Sequence, residues 1–227
     1  ALVVPSELLV RIASAEWGRE ATLIRNGIDV ARYAAAPDVA IPMPERADNE
    51  VVIGTVAGLR KVKNLPALVM AARAVPAPVR LVIAGEGPER AAIAAAASGW
   101  EDRLCLPGFM AEPHRWIGHF DILALSSLSE QAPIAVIEAM AAGKAIASCD
   151  VGDVKAMVSE ENRPFIANDP HQLSAVLGHL ASDAKLRQRI GAANAARAAE
   201  LFDETTMVAA YDRLYASALE GRSLFTA

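Results

Sequence analysis

One stretch sets what this chain can fold into. Asp121-Ile122-Leu123-Ala124-Leu125 is a short apolar run bounded by polar residues, the pattern of a buried strand. It feeds a serine-rich turn, Ser126-Ser127-Leu128-Ser129-Glu130-Gln131-Ala132. Pro133 then fits the first turn of a helix, where its missing N–H costs nothing, and Gly143 fits the left-handed residue that ends one. The same alternation recurs along the chain. Strands are expected over 51–57, 79–84, 103–106, 121–125, 145–148 and 164–167, and helices near 66–75, 88–97, 112–118, 133–142 and 153–158. Strand and helix in turn is the pattern of an α/β parallel sheet with right-handed crossovers.

Within the helix predicted after Pro133, every position from Ile134 to Ala142 is apolar except Glu138, so the helix is enclosed on most sides. Ile134, Ala135, Ala141 and Ala142 occupy the positions three and four away and cannot neutralise it. An enclosed carboxylate must be hydrogen-bonded, paired or protonated. Two kinds of partner fit: a Lys or Arg from a neighbouring element, or the hydroxyl groups of a ligand. Glu130 favours the ligand, because it sits in the turn at the C-terminal end of the preceding strand, where open parallel sheets bind ligands.

A second feature lies after the strand at 51–57. Gly58-Leu59-Arg60-Lys61-Val62-Lys63-Asn64 puts three cations into four residues at the start of a helix, in a chain whose net charge is −5. Free N–H groups and the positive end of the helix dipole make such a loop a phosphate cradle, the other reading being a solvated basic loop. Leu81-Val82-Ile83-Ala84-Gly85-Glu86-Gly87-Pro88-Glu89-Arg90 is a strand, a glycine turn and a helix start. Arg90 stands where a dinucleotide fingerprint needs its third glycine, which argues against an NAD site. The glycines fit a close approach of backbone to ligand or to the neighbouring strand. Phe109 and Met110 follow a strand at Gly108 and serve either a ligand pocket or ordinary packing under a loop.

Glu130 and Glu138, with seven residues between them and the continuation Ala139-Met140-Ala141-Ala142-Gly143, resemble the E-x7-E motif of the retaining glycosyltransferases of family four. The resemblance implies a Rossmann-like, doubly wound parallel sheet that forms one half of the two-domain GT-B architecture, with a C-terminal helical tail. It implies a nucleotide-sugar donor as substrate, with no cofactor and no metal. It places Gly58, Lys63, Gly85, Phe109, Met110, Ser127, Glu130, Gln131, Ala132, Ile134 and Glu138 around the donor. Catalytic roles fall to Glu130, Lys63 and Arg60: Lys63 aligns with the family's diphosphate-binding lysine, Glu130 with its sugar-binding acid, and Glu138 with its ribose-binding acid. Two departures stand out. Gly58 occupies the position of the family's usual arginine, so Arg60 would have to supply the guanidinium, and Gln131-Ala132-Pro133 replaces Gly-Phe-Gly or Gly-Phe-Pro, so no sugar preference carries over.

Residues outside this core fit the same scheme. Asn26-Gly27-Ile28-Asp29 matches the Asn-Gly-Val-Asp that opens the family's nucleotide domain, and Leu2-Val3-Val4-Pro5-Ser6-Glu7 resembles the exit from its first domain. The expected division is an exit segment over 1–20, a donor-binding domain over 21–200 and a final helical segment over 201–227 that crosses back to a first domain. That first domain is expected to lie on a longer polypeptide and to bind most of the acceptor. In the tail, Asp169-Pro170-His171-Gln172 comes close to a capping box, with helices then running over 182–200 and 203–219.

Composition narrows the alternatives. A chain of 227 residues with 53% hydrophobic residues builds one sizeable core, and 5% aromatics argues against a surface of stacked rings. The acidic balance gives no general attraction to nucleic acid or anionic lipid. Cys105 and Cys149 are too few and too far apart for a disulfide framework, so reduced thiols and a cytoplasmic setting are expected, with peripheral attachment at the inner membrane face left open. His114, His119, His171 and His179 have no metal-like spacing, no Asp-x-Asp occurs, and GxSxG is absent. The rival readings are a nucleotide-sugar epimerase of the same fold and a non-catalytic nucleotide-binding module.

Overall fold

Period-two alternation decides how the central sheet is covered. The computed structural model describes residues 2–220. Its main sheet contains β3 (Val51–Val56), β4 (Val79–Ala84), β5 (Leu104–Gly108), β6 (Ile122–Leu125), β7 (Ala145–Cys149) and β8 (Ile166–Ala167) in the order β5-β4-β3-β6-β7-β8, all parallel. Val51, Ile53, Leu81 and Ile83 point to one face, with Ile122 and Ala147 beside them. There they meet α3 (Leu65–Arg73) and α7 (Leu173–Ser182). Val52, Val82, Leu123 and Ile146 point to the other, under α5 (Ile134–Ala141) and the C-terminal part of α8 (Ala184–Leu201). The sheet is therefore buried on both sides, which is why its strands read as continuous apolar runs.

The chain runs outward from β3 through β4 to β5 and then returns to the other side of β3 as β6. That reversal leaves a crevice beyond the C-terminal ends of β3 and β6. α5 closes one side of it. Six of its eight residues are buried, and its C-terminus is drawn against α8 by two glycines: a Cβ on Gly191 would lie 2.0 Å from the Gly143 carbonyl oxygen. Gly143 itself has φ +68, the left-handed stop expected from its place in the sequence.

A small parallel pair, β1 (Val3–Val4) and β2 (Thr22–Leu23), stands apart and is bridged by α1 (Glu7–Ala15). α1 is capped twice. Ser6 Oγ accepts from Leu9 N, and the Asp153 carboxylate accepts from Glu7 N and from Leu8 N at 3.0 Å. α2 (Val30–Ala34) follows an Asp29 cap, α4 (Arg90–Ala96) begins two residues after Pro88, and α6 (Val154–Met157) is a single turn. α9 (Glu204–Leu219) has no buried residue, and Val208, Tyr215 and Leu219 are exposed on it. The last seven residues of the expected 201–227 segment lie outside the described residues.

Two local expectations are corrected. The helix expected over 112–118 is instead two single turns of 3-10 helix, Pro113–Arg115 and Ile117–His119. Glu112 takes φ +51 ahead of Pro113, and Trp116, at φ −139, breaks the run between them so that its indole N–H reaches the Ala111 carbonyl at 2.8 Å. At Asp169 the carboxylate accepts from His171 N rather than closing a box with Gln172, and α7 begins after a 3-10 turn.

The far end of the sheet is pinned by a buried acid. Glu50, with no exposed surface, takes Arg80 at 3.1 and 3.2 Å and Arg103 at 2.6 Å, while Arg46 binds its carbonyl at 2.7 Å. Burial, the largest single influence, would raise the Glu50 pKa, but Arg80, the Ala47 N–H and Arg103 together outweigh it and hold the group below the usual carboxylate range. An acid with a depressed folded pKa stabilises the fold above its unfolded value of 4.5 and loses that contribution as pH falls through the folded value. Glu50→Ala leaves Arg80 buried without its partner and should cost ~3–5 kcal/mol in urea unfolding at pH 7, with a smaller deficit below pH ~4. An unchanged midpoint would mean that the guanidinium is stabilised by other groups.

Candidate active site

The crevice is built by three loops that bind one another. After β3, Leu59 N donates to the Glu86 carbonyl at 2.9 Å and Glu89 N donates back to the Leu59 carbonyl at 3.0 Å. These backbones touch because of two glycines. A Cβ on Gly85 would lie 1.9 Å from the Ala57 oxygen and one on Gly87 2.5 Å from the Leu59 oxygen, and both residues have positive φ. Of the two explanations open for the glycine turn, the neighbouring strand's loop is the one seen. After β6, Ser126 Oγ donates to the carbonyls of Lys63 and Asn64 at 3.0 and 2.9 Å, and Leu128 N donates to Val62 O at 2.8 Å. Asn64 takes a left-handed conformation, φ +48, between the 3-10 turn Lys61–Lys63 and α3. The lysine loop is thus clasped from both sides.

Within this frame Lys63 Nζ lies 2.6 Å from Glu130 Oε1, and Ser127 Oγ donates to the same oxygen at 2.6 Å. Glu130 is nearly enclosed, its side chain 10% exposed, whereas that of Lys63 is 26% exposed. Glu130 Oε2 has no hydrogen-bond partner among the described residues. Both side chains border a hollow of about 400 Å³ whose other walls include Gly58, Arg60, Ser127, Pro133, Ile134 and Ala135. Arg60 folds back over the glycine before it: a Cβ on Gly58 would stand 3.4 Å from Arg60 Nε. No side chain caps the N-terminus of α5, whose first residues, Ile134 and Ala135, line the hollow, and the N–H groups of a helix's first turn have no intrahelical acceptor. Three sources of positive potential therefore converge there: an ammonium, a guanidinium and a helix N-terminus.

A second hollow, about 440 Å³, shares Val56, Ala57 and Gly58 with the first and is walled by Gly85, Phe109 and Met110 together with Glu112 and Pro113. It is the less polar of the two, and Phe109 is 73% exposed over it. The pair make a bipartite cleft, charged at one end and apolar at the other, of a size for a small ligand.

Gln131 and Ala132 do not border either hollow. Their carbonyls hold the turn in place, accepting from Asp153 N at 2.8 Å and from Asn26 Nδ2 at 3.1 Å. Gly152, at φ +58, is pressed against the same turn, since a Cβ there would meet the Glu130 oxygen at 2.6 Å. Asp153 consequently links the Glu130 turn to the N-terminus of α1, and Asn26 links it to the segment after β2. Ser126, Asp153 and Gly152 are supports that the sequence did not single out; only the Asn26-Gly27 match pointed toward this contact.

Glu138 lies one turn deeper on α5, is buried, lines neither hollow and, among the described residues, is bonded to neither Lys nor Arg. Its Oε1 accepts from the Tyr33 hydroxyl at 2.7 Å. Burial raises its pKa, and the Tyr33 hydrogen bond opposes that without cancelling it. Tyr33 in turn is pushed well above the ordinary phenol range by burial and by the neighbouring carboxylate. Among the described residues no group of three or more His, Cys, Asp or Glu could hold a metal ion, and no helix is long and apolar enough to cross a membrane.

A carboxyl whose folded pKa is raised adds stability below its unfolded value, 4.5, and loses it as pH rises through the folded value. Glu138→Gln should therefore raise the thermal midpoint at pH 8, with the gain shrinking as the pH is lowered toward 5. A lower midpoint at pH 8 would show that the ionised form is well accommodated.

Comparison with known proteins places the chain in a family and a fold. Residues 50–183 match the family model described as Glycosyl transferases group 1. The chain is 34% identical over 106 residues to D-inositol 3-phosphate glycosyltransferase of Streptomyces scabiei, a match covering 46% of this chain and 24% of that protein. Among solved structures it is similar to Anabaena HepE in complex with UDP, at a TM-score of 0.84 and 20% identity, over 95% of this chain and 63% of that one. It is also similar to the sucrose-phosphate synthase of Thermosynechococcus elongatus, at a TM-score of 0.79 and 17% identity, over 96% and 58%. The fold is that of the C-terminal domain of GT-B glycosyltransferases. The chain spans about a quarter of its curated relative and less than two thirds of these structures.

Proposed function

The chain belongs to the group 1 glycosyl transferases, and we propose that it is the donor-binding part of a retaining, metal-independent enzyme of family four that transfers sugar from a nucleoside-diphosphate sugar. One observation carries the proposal: Lys63, Arg60 and the uncapped N-terminus of α5 surround one hollow with Glu130 at the crevice between β3 and β6. Anabaena HepE, similar in fold, was crystallised with UDP and with UDP-glucose, which supports a nucleotide of this class as ligand.

Sugar transfer makes the donor's diphosphate a leaving group that gains negative charge as the glycosidic bond breaks. Lys63, Arg60 and the first residues of α5 stand around the place where that charge develops, and positive groups so placed lower the barrier. The Arg60 guanidinium over Gly58 stands in for the arginine that the family carries at that position. Glu130 Oε2 accepts from sugar hydroxyls and orients the anomeric carbon, with Ser127 holding the other oxygen. Glu138 serves the ribose diol, and Phe109 and Met110 enclose the base in the second hollow. The division into an exit segment over 1–20, a donor domain over 21–200 and a crossing segment from 201 belongs to the same proposal, with most of the acceptor bound by another domain. On this account the chain by itself binds nucleotide and transfers no sugar.

Isothermal titration with UDP and GDP tests the assignment. Binding should be measurable for at least one of them and weakened at least tenfold by Lys63→Ala, as for a lost hydrogen bond to a charged group. Equal affinity of the variant would remove Lys63 from the site.

A further inference from the structure

Tyr33 stands between Glu138 and the segment that borders the second hollow, a contact the family resemblance does not account for. Its hydroxyl donates to Glu138 Oε1 at 2.7 Å, and no other polar contact to that carboxylate is found among the described residues. Glu138 stands three and four residues beyond Ala135 and Ile134, on the same face of α5, and those two border the first hollow. The Tyr33 ring also meets His114 edge-on, with centroids 5.9 Å apart at 72°. His114 directly follows Glu112 and Pro113, which wall the second hollow, and its Nε2 lies 3.1 Å from Arg32 Nη2. One phenol thus touches the acid a turn behind the first hollow and the residue that follows the wall of the second, although Tyr33, Glu138 and His114 themselves line neither.

We propose that Tyr33 is a positioning residue for the ribose of the donor: by holding Glu138 Oε1 it fixes the carboxylate so that Oε2 accepts from the 2′- and 3′-hydroxyl groups. The proposal rests on Glu138 as the ribose acceptor and adds the group that keeps it aimed. A carboxylate held by one oxygen has lost rotational freedom before the ligand arrives, so the ligand does not bear that ordering cost. The bond is also charge-assisted, which favours the ionised acceptor form in a site where burial favours protonation. A ring that served packing alone would need no hydroxyl, and phenylalanine would do as well.

The test titrates the chain and its Tyr33→Phe variant with UDP and with 2′,3′-dideoxyuridine diphosphate, with thermal melting to confirm that both proteins are folded. The unaltered chain should prefer UDP. Tyr33→Phe should lose roughly tenfold in affinity for UDP, the scale of one hydrogen bond, and keep its affinity for the dideoxy ligand. In a Glu138→Gln background the same substitution should change neither affinity. Equal losses on both ligands, or full discrimination retained by Tyr33→Phe, would overturn the proposal while leaving the nucleotide site intact. No discrimination by the unaltered chain would instead remove Glu138 from the ribose, and the proposal with it.

Discussion

The reversal of the chain between β5 and β6 is the constraint on which the site depends. A sheet that kept growing in one direction would place every connecting loop over its neighbour. Here the loops after β3 and β6 leave toward opposite faces, and the gap between them faces the solvent at the C-terminal edge of the sheet. Both ends of that gap are locked by backbone contacts rather than by side-chain packing. Gly85 and Gly87 let the β4 loop touch the β3 loop, and Ser126 ties the β6 loop to the carbonyls of Lys63 and Asn64. The functional side chains therefore stand on loops whose positions are set by hydrogen bonds across strands, which makes the crevice preformed in the absence of ligand.

The two acids of the motif live in different electrostatic settings. Glu130 has a cation and a hydroxyl on one oxygen and a free second oxygen near the hollow. Glu138 is buried and, among the described residues, has no cation beside it and a single phenol as partner. A carboxylate paired with a lysine can cede that lysine to an incoming phosphate and still accept from hydroxyl groups. One sealed behind a helix turn is suited to a neutral diol, whose hydroxyls bring donors and no charge. The spacing of eight residues produces this contrast, since it puts one acid in the turn before α5 and the other a turn inside it.

Much of this was legible. The segment from Asp121 to Gly143 carries its own punctuation, and the observed strand, turn, helix and left-handed stop follow it closely. The glycines at 85 and 87 announced a close approach without saying to what. The lysine loop and Glu130 came together as the family resemblance implied. What escaped was everything that depends on contacts distant in sequence. Nothing near Tyr33 or Glu138 ties them together across 105 positions, and the helix α2 that carries Tyr33 is too short to register as a period. Asp153 begins α6 as its place in the sequence suggests, but its side chain is spent on capping α1, 145 residues away, which nothing local announces. The segment over 112–118 was expected to be a helix from the alternation of strands and helices, but Glu112 at positive φ and Trp116, buried in the core at φ −139, divide it into two single turns.

A crystal structure of the chain grown with UDP is the most direct measurement of the central claim. The account predicts the diphosphate in the crevice between β3 and β6, its oxygens within about 3 Å of Lys63 Nζ and of the N–H groups of Ile134 and Ala135, with Lys63 drawn off Glu130 Oε1. A nucleotide bound elsewhere, or a diphosphate left in solvent beside an intact Lys63–Glu130 pair, would contradict it.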